Sequence, residues 1–294
     1  MPSIVKRVVK GVQYYYIVHT VRKKDRFTQK SLYLGRMIPK DIERIRRRFT
    51  LEIDQERWFV AFERIKENCD EELRNSPKSA TLKELKSFSV RFTYDTQRIE
   101  GSTLSLRETS RLLEEGISPS NRPISDIKEA ESHQKLLFEI LAQNNDLTLL
   151  EVLDWHWRQF KDTKPDIAGQ IRKHGVKISG SRFVPASPVE LQALLTGFFR
   201  WYDRSKGKTN PVEMAALAHL KFVTIHPFSD GNGRISRLMM NFILHRHGYP
   251  MLNIDYKRRS SYYRALERAQ LAKDERIFLV WFFRWYERQF RSYE

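Results

Sequence analysis

The stretch His226-Pro227-Phe228-Ser229-Asp230-Gly231-Asn232-Gly233-Arg234-Ile235-Ser236-Arg237 crowds a histidine, a carboxylate, a glycine-rich turn and two arginines into twelve residues. Its flanks set the fold around it. Asn210, Pro211 and Glu213 read as an N-cap, a first-turn proline and a partial capping box. Val212, Ala215, Ala216, His219, Leu220 and Val223 then recur at the spacing of a core-facing helix to about Ile225, and Pro227 breaks it. The period resumes at Ile235, Leu238, Met239, Phe242 and Ile243, until Gly248 and Pro250 stop the second helix. The motif is therefore expected on a loop that opens a helix. Arg234, Arg237 and Asn241 fall at i, i+3 and i+7, which predicts one shared face opposite the apolar one and a single point of convergence. Gly231 and Gly233 let the backbone pass close to a ligand, and a helix start presents orphan N–H groups, so the loop reads as an anion cradle.

This string resembles the signature of the Fic (filamentation induced by cAMP) family, His-Pro-Phe-x-(Asp/Glu)-Gly-Asn-(Gly/Lys)-Arg-x-x-Arg, with no departure. The resemblance covers roughly residues 82 to 288. It implies transfer of AMP from Mg-ATP to a hydroxyl on a target protein. His226 would be the general base toward a Ser, Thr or Tyr hydroxyl, and Asp230 would hold Mg2+ between the α- and β-phosphates. Gly231, Asn232 and Gly233, with Ile235 and Ser236 beside them, would line the nucleotide, and Arg234 and Arg237 would grip the β- and γ-phosphates. The residue chemistry agrees: a histidine pKa near 6.5 suits a base at neutral pH, and a hard cation prefers carboxylate oxygen.

A second stretch, Thr96-Gln97-Arg98-Ile99-Glu100-Gly101, resembles the inhibitory motif (Ser/Thr)-x-x-x-Glu-(Gly/Asn) of regulated Fic proteins, on a helix of about residues 82 to 101. The resemblance implies that Glu100 pairs with Arg234 and blocks seating of the γ-phosphate, as an intramolecular brake. It also implies that the same glutamate aligns water to remove AMP from a modified target. A carboxylate beside a phosphate-binding arginine competes with the ligand for the same donors.

A third, from Ala168 to Arg172 and Val176 to Pro185, resembles the Fic flap, and Ile178, Ser179, Gly180 and Ser181 give the brief alternation and turn of a small hairpin whose edge would pair with a target segment. A fourth, Ser260 to Gln270, resembles the C-terminal helix lining the adenine and ribose pocket, with Tyr262, Tyr263 and Gln270 as candidates. Some Fic proteins carry Asn where Gln270 stands.

Other motifs fall away. Gly207-Lys208-Thr209 looks like the end of a Walker A loop, but Tyr202 stands where the first glycine belongs. His245 and His247 near a helix end read as capping groups. One cysteine, Cys69, builds neither a thiolate zinc site nor a disulfide framework.

The 294 residues, 40% hydrophobic, are enough for one main domain and a smaller addition, and no apolar run approaches the ~18 residues of a membrane span. Without a signal-peptide pattern, the expected location is cytoplasmic, with no membrane partner. The formal charge of +17 exceeds what a nucleotide pocket needs, and the run Arg44, Arg46, Arg47, Arg48 is the candidate surface for nucleic acid or an acidic protein. Gln13 to Val21 and Phe27 to Gly35, with Lys23-Lys24-Asp25-Arg26 between them, predict a β-hairpin, followed by a long or broken helix to about Cys69. Asn75-Ser76-Pro77 is a break, which divides the chain into an extension over 1–75 and a Fic-type domain over 76–288. Ser105 with Glu108 reads as a capping box. Further helices are expected at about 125–143, 148–161, 188–204 and 259–271. A last helix from about Glu275 carries Phe278, Trp281, Phe282, Trp285 and Tyr286 at core spacing and is a dimer surface if part of it is exposed.

The expected fold is thus mainly α, a helical bundle with a small flap hairpin and an N-terminal hairpin-helix extension. The expected function is a self-inhibited AMP transferase using ATP and Mg2+. The alternatives are a basic nucleic-acid-binding or adaptor protein that uses the site to sense nucleotides, and a Fic enzyme that transfers UMP, phosphate or phosphocholine.

Overall fold

The computed structural model describes residues 2–23 and 26–293, so Lys24 and Asp25 of the linking stretch lie outside the described residues. The chain divides into two compact units, one ending at Ala61 and the other beginning at Phe62. In the first, strands β1 (Ser3–Val9), β2 (Val12–Lys23) and β3 (Arg26–Gly35) form an antiparallel sheet in the order β1-β2-β3. β2 and β3 make the hairpin anticipated from the sequence, while β1 is an additional strand. Its local signal is the two-residue connection Lys10-Gly11, both at positive φ (51° and 79°), which matches the twist of a tight hairpin with Val9 paired to Val12. Ile17, fully buried on one face of the sheet, packs with Phe49 and Ile53 of the long helix α1 (Ile42–Asn75), and Ile4, Val21 and Leu32 close around them. The basic run on α1 is met locally: Arg44 pairs with Asp41 at 2.7 Å, Arg46 with Glu43 at 2.9 Å and Arg48 with Glu52 at 2.9 Å.

The second unit is helical. α1 ends at Asn75, and α2 (Lys78–Ile99) starts directly after Pro77. α3 (Leu106–Glu115) opens on the predicted capping box: Glu108 N–H donates to Ser105 Oγ at 3.3 Å, and Ser105 N–H to Glu108 Oε2 at 2.8 Å. Then follow α4 (Ile124–Ala142), α5 (Leu149–Phe160), α6 (Leu191–Ser205), α7 (Pro211–Ile225), α8 (Asn232–Arg246), α9 (Arg259–Ala272) and α10 (Arg276–Gln289). Asn210 caps α7 by accepting from Val212 N–H at 3.0 Å.

The sequence pattern of α7 suggested one apolar stripe, but Met214, Ala218 and Phe222 are as completely buried as Val212 and Ala215. α7 is thus enclosed over most of its circumference, with Glu213, Lys221 and Thr224 half-buried along one narrow face. α8 is its partner, buried from Asn232 to Leu244 except at Gly233, and therefore has no solvent face on which Arg234, Arg237 and Asn241 could line up. Asn241 is instead a fully buried staple: its Nδ2 donates to Leu252 O at 3.0 Å, and its Oδ1 accepts from Leu252 N–H at 2.8 Å.

Three imidazoles are locked into this core. Burial, with arginine charge adding to it, pushes His133 and His219 down to about 3, and burial pushes His156 to about 4. The unfolded chain, with histidines near 6.5, binds more protons than the folded one below that pH. Their neutral burial therefore contributes fully above about pH 7 and is lost as the pH falls through 6.5 toward 4. Urea titrations followed by circular dichroism should show a lower midpoint at pH 5.5 than at pH 7.5, with each histidine contributing on the order of 1 kcal/mol per pH unit.

Candidate active site

α7 ends at His226, which takes the left-handed conformation (φ 55°, ψ 58°) as its C-cap. A non-glycine residue pays for that conformation, so surrounding contacts have to hold it. They fix the ring as well: His226 Nδ1 lies 3.1 Å from Val223 O, and because a carbonyl only accepts, Nδ1 carries the proton. Nε2 is left as an unprotonated lone pair, and burial lowers the imidazole pKa below its ordinary value.

The loop behind it is clamped by side chains bonded to backbone. Asn232 receives Phe228 N–H at 2.9 Å and donates to Phe228 O at 2.8 Å; it is 2% exposed, so it staples the loop and does not face a ligand. Arg172, also buried, spends its guanidinium on three carbonyls: His226 O at 2.8 Å, His174 O at 2.8 Å and Ala186 O at 2.6 Å. His156 stacks on Phe228 with ring centroids 3.8 Å apart. Gly169 N–H donates to its Nδ1 at 2.9 Å, which leaves Nε2–H to donate to Asp230 O at 3.0 Å. Gly231 sits at φ 83°, where a Cβ would meet the Phe160 ring at 2.3 Å.

The two arginines diverge. Arg234 turns to Glu129 of α4, which it bonds through Nη1, and to Asp230 Oδ1 at 2.9 Å, while its guanidinium lies 4.5 Å from the centre of the Phe160 ring. Lys164 completes the group, with Nζ 2.7 Å from both Glu129 Oε1 and Asp230 Oδ2. Burial raises the Asp230 carboxyl, but Arg234 and Lys164 outweigh it and hold the group well below the usual carboxylate range.

Arg237 is the partner of Glu100: Nη2 donates to Glu100 Oε1 at 2.5 Å, Nε to Thr96 Oγ1 at 3.3 Å and Nη1 to Tyr262 OH at 3.4 Å. Burial alone would lower its pKa, and Glu100 more than reverses that. The expected Glu100–Arg234 pair is therefore corrected to Glu100–Arg237. Glu100 caps the end of α2, and its carboxylate crosses Gly233, where a Cβ would stand 2.2 Å from Oε1. Arg234 already has two acids of its own.

One cleft of about 640 Å³ gathers Glu100, Gly101, Ile178, Ser179, Gly180 and Ser181 with His226, Gly233 and Arg237, and its far wall carries Tyr262, Tyr263 and Gln270. Within it, Tyr263 OH donates to Ile99 O at 2.9 Å and Gln270 Nε2 to Thr224 Oγ1 at 3.1 Å. Tyr262 is 1% exposed, and its hydroxyl bonds His219 Nε2 at 2.9 Å. Ile235 and Ser236 do not reach the cleft: both are fully buried, and Ser236 Oγ donates to Gly233 O. The flap is no hairpin. Residues 176–187 form no strand: they run as coil around a single turn, with Ser181 N–H on Ile178 O, and the backbone N–H of Arg182 donates to Glu267 at 2.6 Å. Glu129, Lys164, His156 and Arg172 have no local signal in the sequence, since each acts on a residue at least 54 positions away. Among the described residues no cluster of three His, Cys, Asp or Glu side chains is placed to hold a metal by itself. Asp230 alone, ionised, suits a cation that takes one or two carboxylates and completes its shell with phosphate and water.

Residues 146–244 match the Fic/DOC family. Over 180 residues the chain is 37% identical to the Drosophila melanogaster protein named Protein adenylyltransferase Fic, aligning 60% of this chain with 36% of that one. To the Aedes aegypti protein of the same name it is 35% identical over 221 residues, 73% of this chain and 43% of the other. The chain thus spans less than half the length of these curated relatives. A solved Fic-domain signaling protein from Bacteroides thetaiotaomicron superposes with a TM-score of 0.69 at 29% identity, over 78% of this chain and 95% of that one.

Removing the loop clamps should be costly. Arg172→Ala strips three backbone carbonyls of their donor and is expected to lower stability by about 2–4 kcal/mol, with Asn232→Ala costing about 1–3 kcal/mol, measured by urea denaturation.

Proposed function

Because the chain carries a Fic domain, we propose that it is a self-inhibited protein adenylyltransferase: it moves AMP from ATP to a Ser, Thr or Tyr hydroxyl of a target protein, and Glu100 is its brake. The observation that carries this reading is the Glu100–Arg237 ion pair in the same cleft as the free Nε2 of His226. His226 would take the hydroxyl proton on Nε2 as the oxygen attacks the α-phosphorus and the bond to the departing pyrophosphate breaks. The pKa lowered by burial keeps that nitrogen unprotonated at neutral pH. Arg237 would hold a terminal phosphate, and the first turn of α8 would face the phosphates with its N–H groups. Mg2+ fits as the charge-neutralising ion, with Asp230 offering an oxygen to it in place of Lys164.

The brake follows from charge and space. A phosphate and the Glu100 carboxylate compete for one guanidinium, and they repel each other across Gly233. Glu100 lies close enough to the same cleft to align a water for removal of AMP, which would make the two directions of reaction share one site. The flap supports the target reading only in a reduced form: Ile178, Ser179, Gly180 and Ser181 border the cleft as a turn closed by Ser181 N–H on Ile178 O, and not as a strand edge. The nucleic-acid reading of the N-terminal basic run gains no support from the structure, because Arg44, Arg46 and Arg48 are already ion-paired.

Transfer of label from α-labelled ATP to protein, run with α-labelled UTP in parallel, tests the proposal. Glu100→Gly should raise labelling by tenfold or more, on the order of 1.4 kcal/mol of barrier. His226→Ala in that background should reduce it by about 10²–10⁴-fold. Labelling that is unchanged by Glu100→Gly removes the brake, labelling that survives His226→Ala removes the base, and a preference for UTP changes the group transferred.

A further inference from the structure

α9 and α10 are joined by the short connection 273–275 and pack antiparallel, leaving an outer groove of about 440 Å³ between them. Arg258, Arg264, Arg268, Arg284 and Arg288 line it, and all five are exposed. Several other arginines of this unit have acid partners: Arg122 pairs with Glu108, Arg158 with Glu139 and Arg276 with Asp274. None of the five groove arginines makes an ion pair or a guanidinium hydrogen bond with a described residue. Glu267, the acid on the same helix, points away to Ser181 and the Arg182 backbone. Five cations gathered along one groove, with no described carboxylate bonded to any of them, repel one another, a cost that an anionic partner relieves.

The floor of the groove is aromatic. Trp281 and Trp285 lie parallel, 10° apart in plane, with ring centroids 6.4 Å apart. Their N–H groups are taken, Trp281 by Ser261 Oγ at 3.3 Å and Trp285 by Asn253 O at 2.9 Å, so the indoles are held in place and offer a partner only ring surface. Arg258 already sits 5.7 Å above the Trp285 ring. These contacts fix the register of the two helices. Along the paired helices the arginine positions therefore succeed one another as Arg268, Arg264, Arg258 beside Arg284, and Arg288. Arg264 and Arg268, like Arg284 and Arg288, are one helical turn apart, a step of about 6 Å. That is the scale of one nucleotide along an extended strand.

We propose that the α9–α10 groove binds a single-stranded nucleic-acid segment, with phosphates on the arginine rows and bases against the Trp281 and Trp285 rings. Basic side chains that track a backbone over fixed aromatic rings are what a sequence-tolerant single-strand site needs. Planar guanidinium suits both phosphate and base faces. An acidic peptide would use the charge but has no call on the indoles, and a concave groove presents its arginines poorly to a flat anionic membrane. The proposal stands apart from AMP transfer, since the groove lies on the opposite side of α9 from Tyr262 and Leu266, with only Arg264 bordering both.

Fluorescence anisotropy of a labelled oligo(dT) of about ten nucleotides, titrated with the full chain at several salt concentrations, tests this. Saturable binding with quenching of tryptophan emission is expected. The triple variant Arg268→Glu/Arg284→Glu/Arg288→Glu should lose at least tenfold in affinity at unchanged circular dichroism, and the slope of log K against log salt should shrink by about 0.7 per arginine removed. Trp285→Leu, which keeps the charge, should lose affinity and part of the quenching, whereas Arg44→Glu/Arg46→Glu should leave both as they were. The proposal is overturned if the triple variant binds like the parent, or if the N-terminal pair of substitutions removes binding instead. It is equally overturned if polyglutamate of equal charge displaces the oligonucleotide as well as unlabelled oligo(dT) does, which assigns the groove to an acidic protein. Displacement by phosphatidylserine vesicles would assign it to a membrane surface.

Discussion

Two guanidinium groups, buried on neighbouring turns of one enclosed helix, have to be neutralised by carboxylates from elsewhere in the chain, and that requirement organises the helical unit. Arg234 is 3% exposed and Arg237 1%. An unpartnered charge at such depth costs several kcal/mol. Glu129 on α4 and Glu100 at the end of α2 meet it, and Gln97 binds the two arrangements together by donating to Glu129 O at 2.9 Å and accepting from Arg234. The positions of α2 and α4 against α8 are therefore set by charge as much as by apolar packing. Arg234 and Arg237 are separated by two residues, yet they belong to different networks, one closed by Lys164 and Asp230 and the other open to the cleft.

The catalytic candidate depends on a second constraint, that a loop with little regular structure must keep a histidine in a disfavoured conformation. The solution is to give its carbonyls and amides side-chain partners. Arg172 holds the His226 carbonyl, Asn232 holds both polar groups of Phe228, and the neutral ring of His156 holds the Asp230 carbonyl. Groups that a motif reading assigns to the ligand serve here as the frame that positions the ligand-facing ones.

What the sequence made legible is what is local. The helix period on either side of Pro227, the Asn210 and Ser105 caps and the break at Pro77 are each decided within a few residues, and the helices stand where those signals put them. His226 and Glu100, both legible in their motifs, reach the cleft, while Thr96 lies buried with its hydroxyl accepting from Arg237. Long-range choices were not legible. Nothing in the spacing distinguishes Arg234 from Arg237 as the partner of Glu100; that is decided by Glu129, 105 positions from Arg234, and by the missing side chain of Gly233. Strand β1 went unread because its only sharp signal, Lys10-Gly11, lacks the usual Asn or Asp. The brief alternation at the flap predicts a hairpin, but Glu267 takes the Arg182 N–H and no strand pairing forms there.

The end of α2 is held at several points. Tyr263 OH bonds Ile99 O, Arg98 bonds Ser102 O, and Asp95, four residues before Ile99, takes Asn253 Nδ2 at 2.6 Å and Tyr256 N–H at 2.9 Å. With the backbone moored on both sides of Glu100, the carboxylate moves on a leash no longer than its own side chain. Its stroke is a few rotations about single bonds, within the cleft and over a glycine that leaves the path clear. For the brake proposed above, release therefore requires crowding or reorienting one side chain and gains nothing from a pull on the helix.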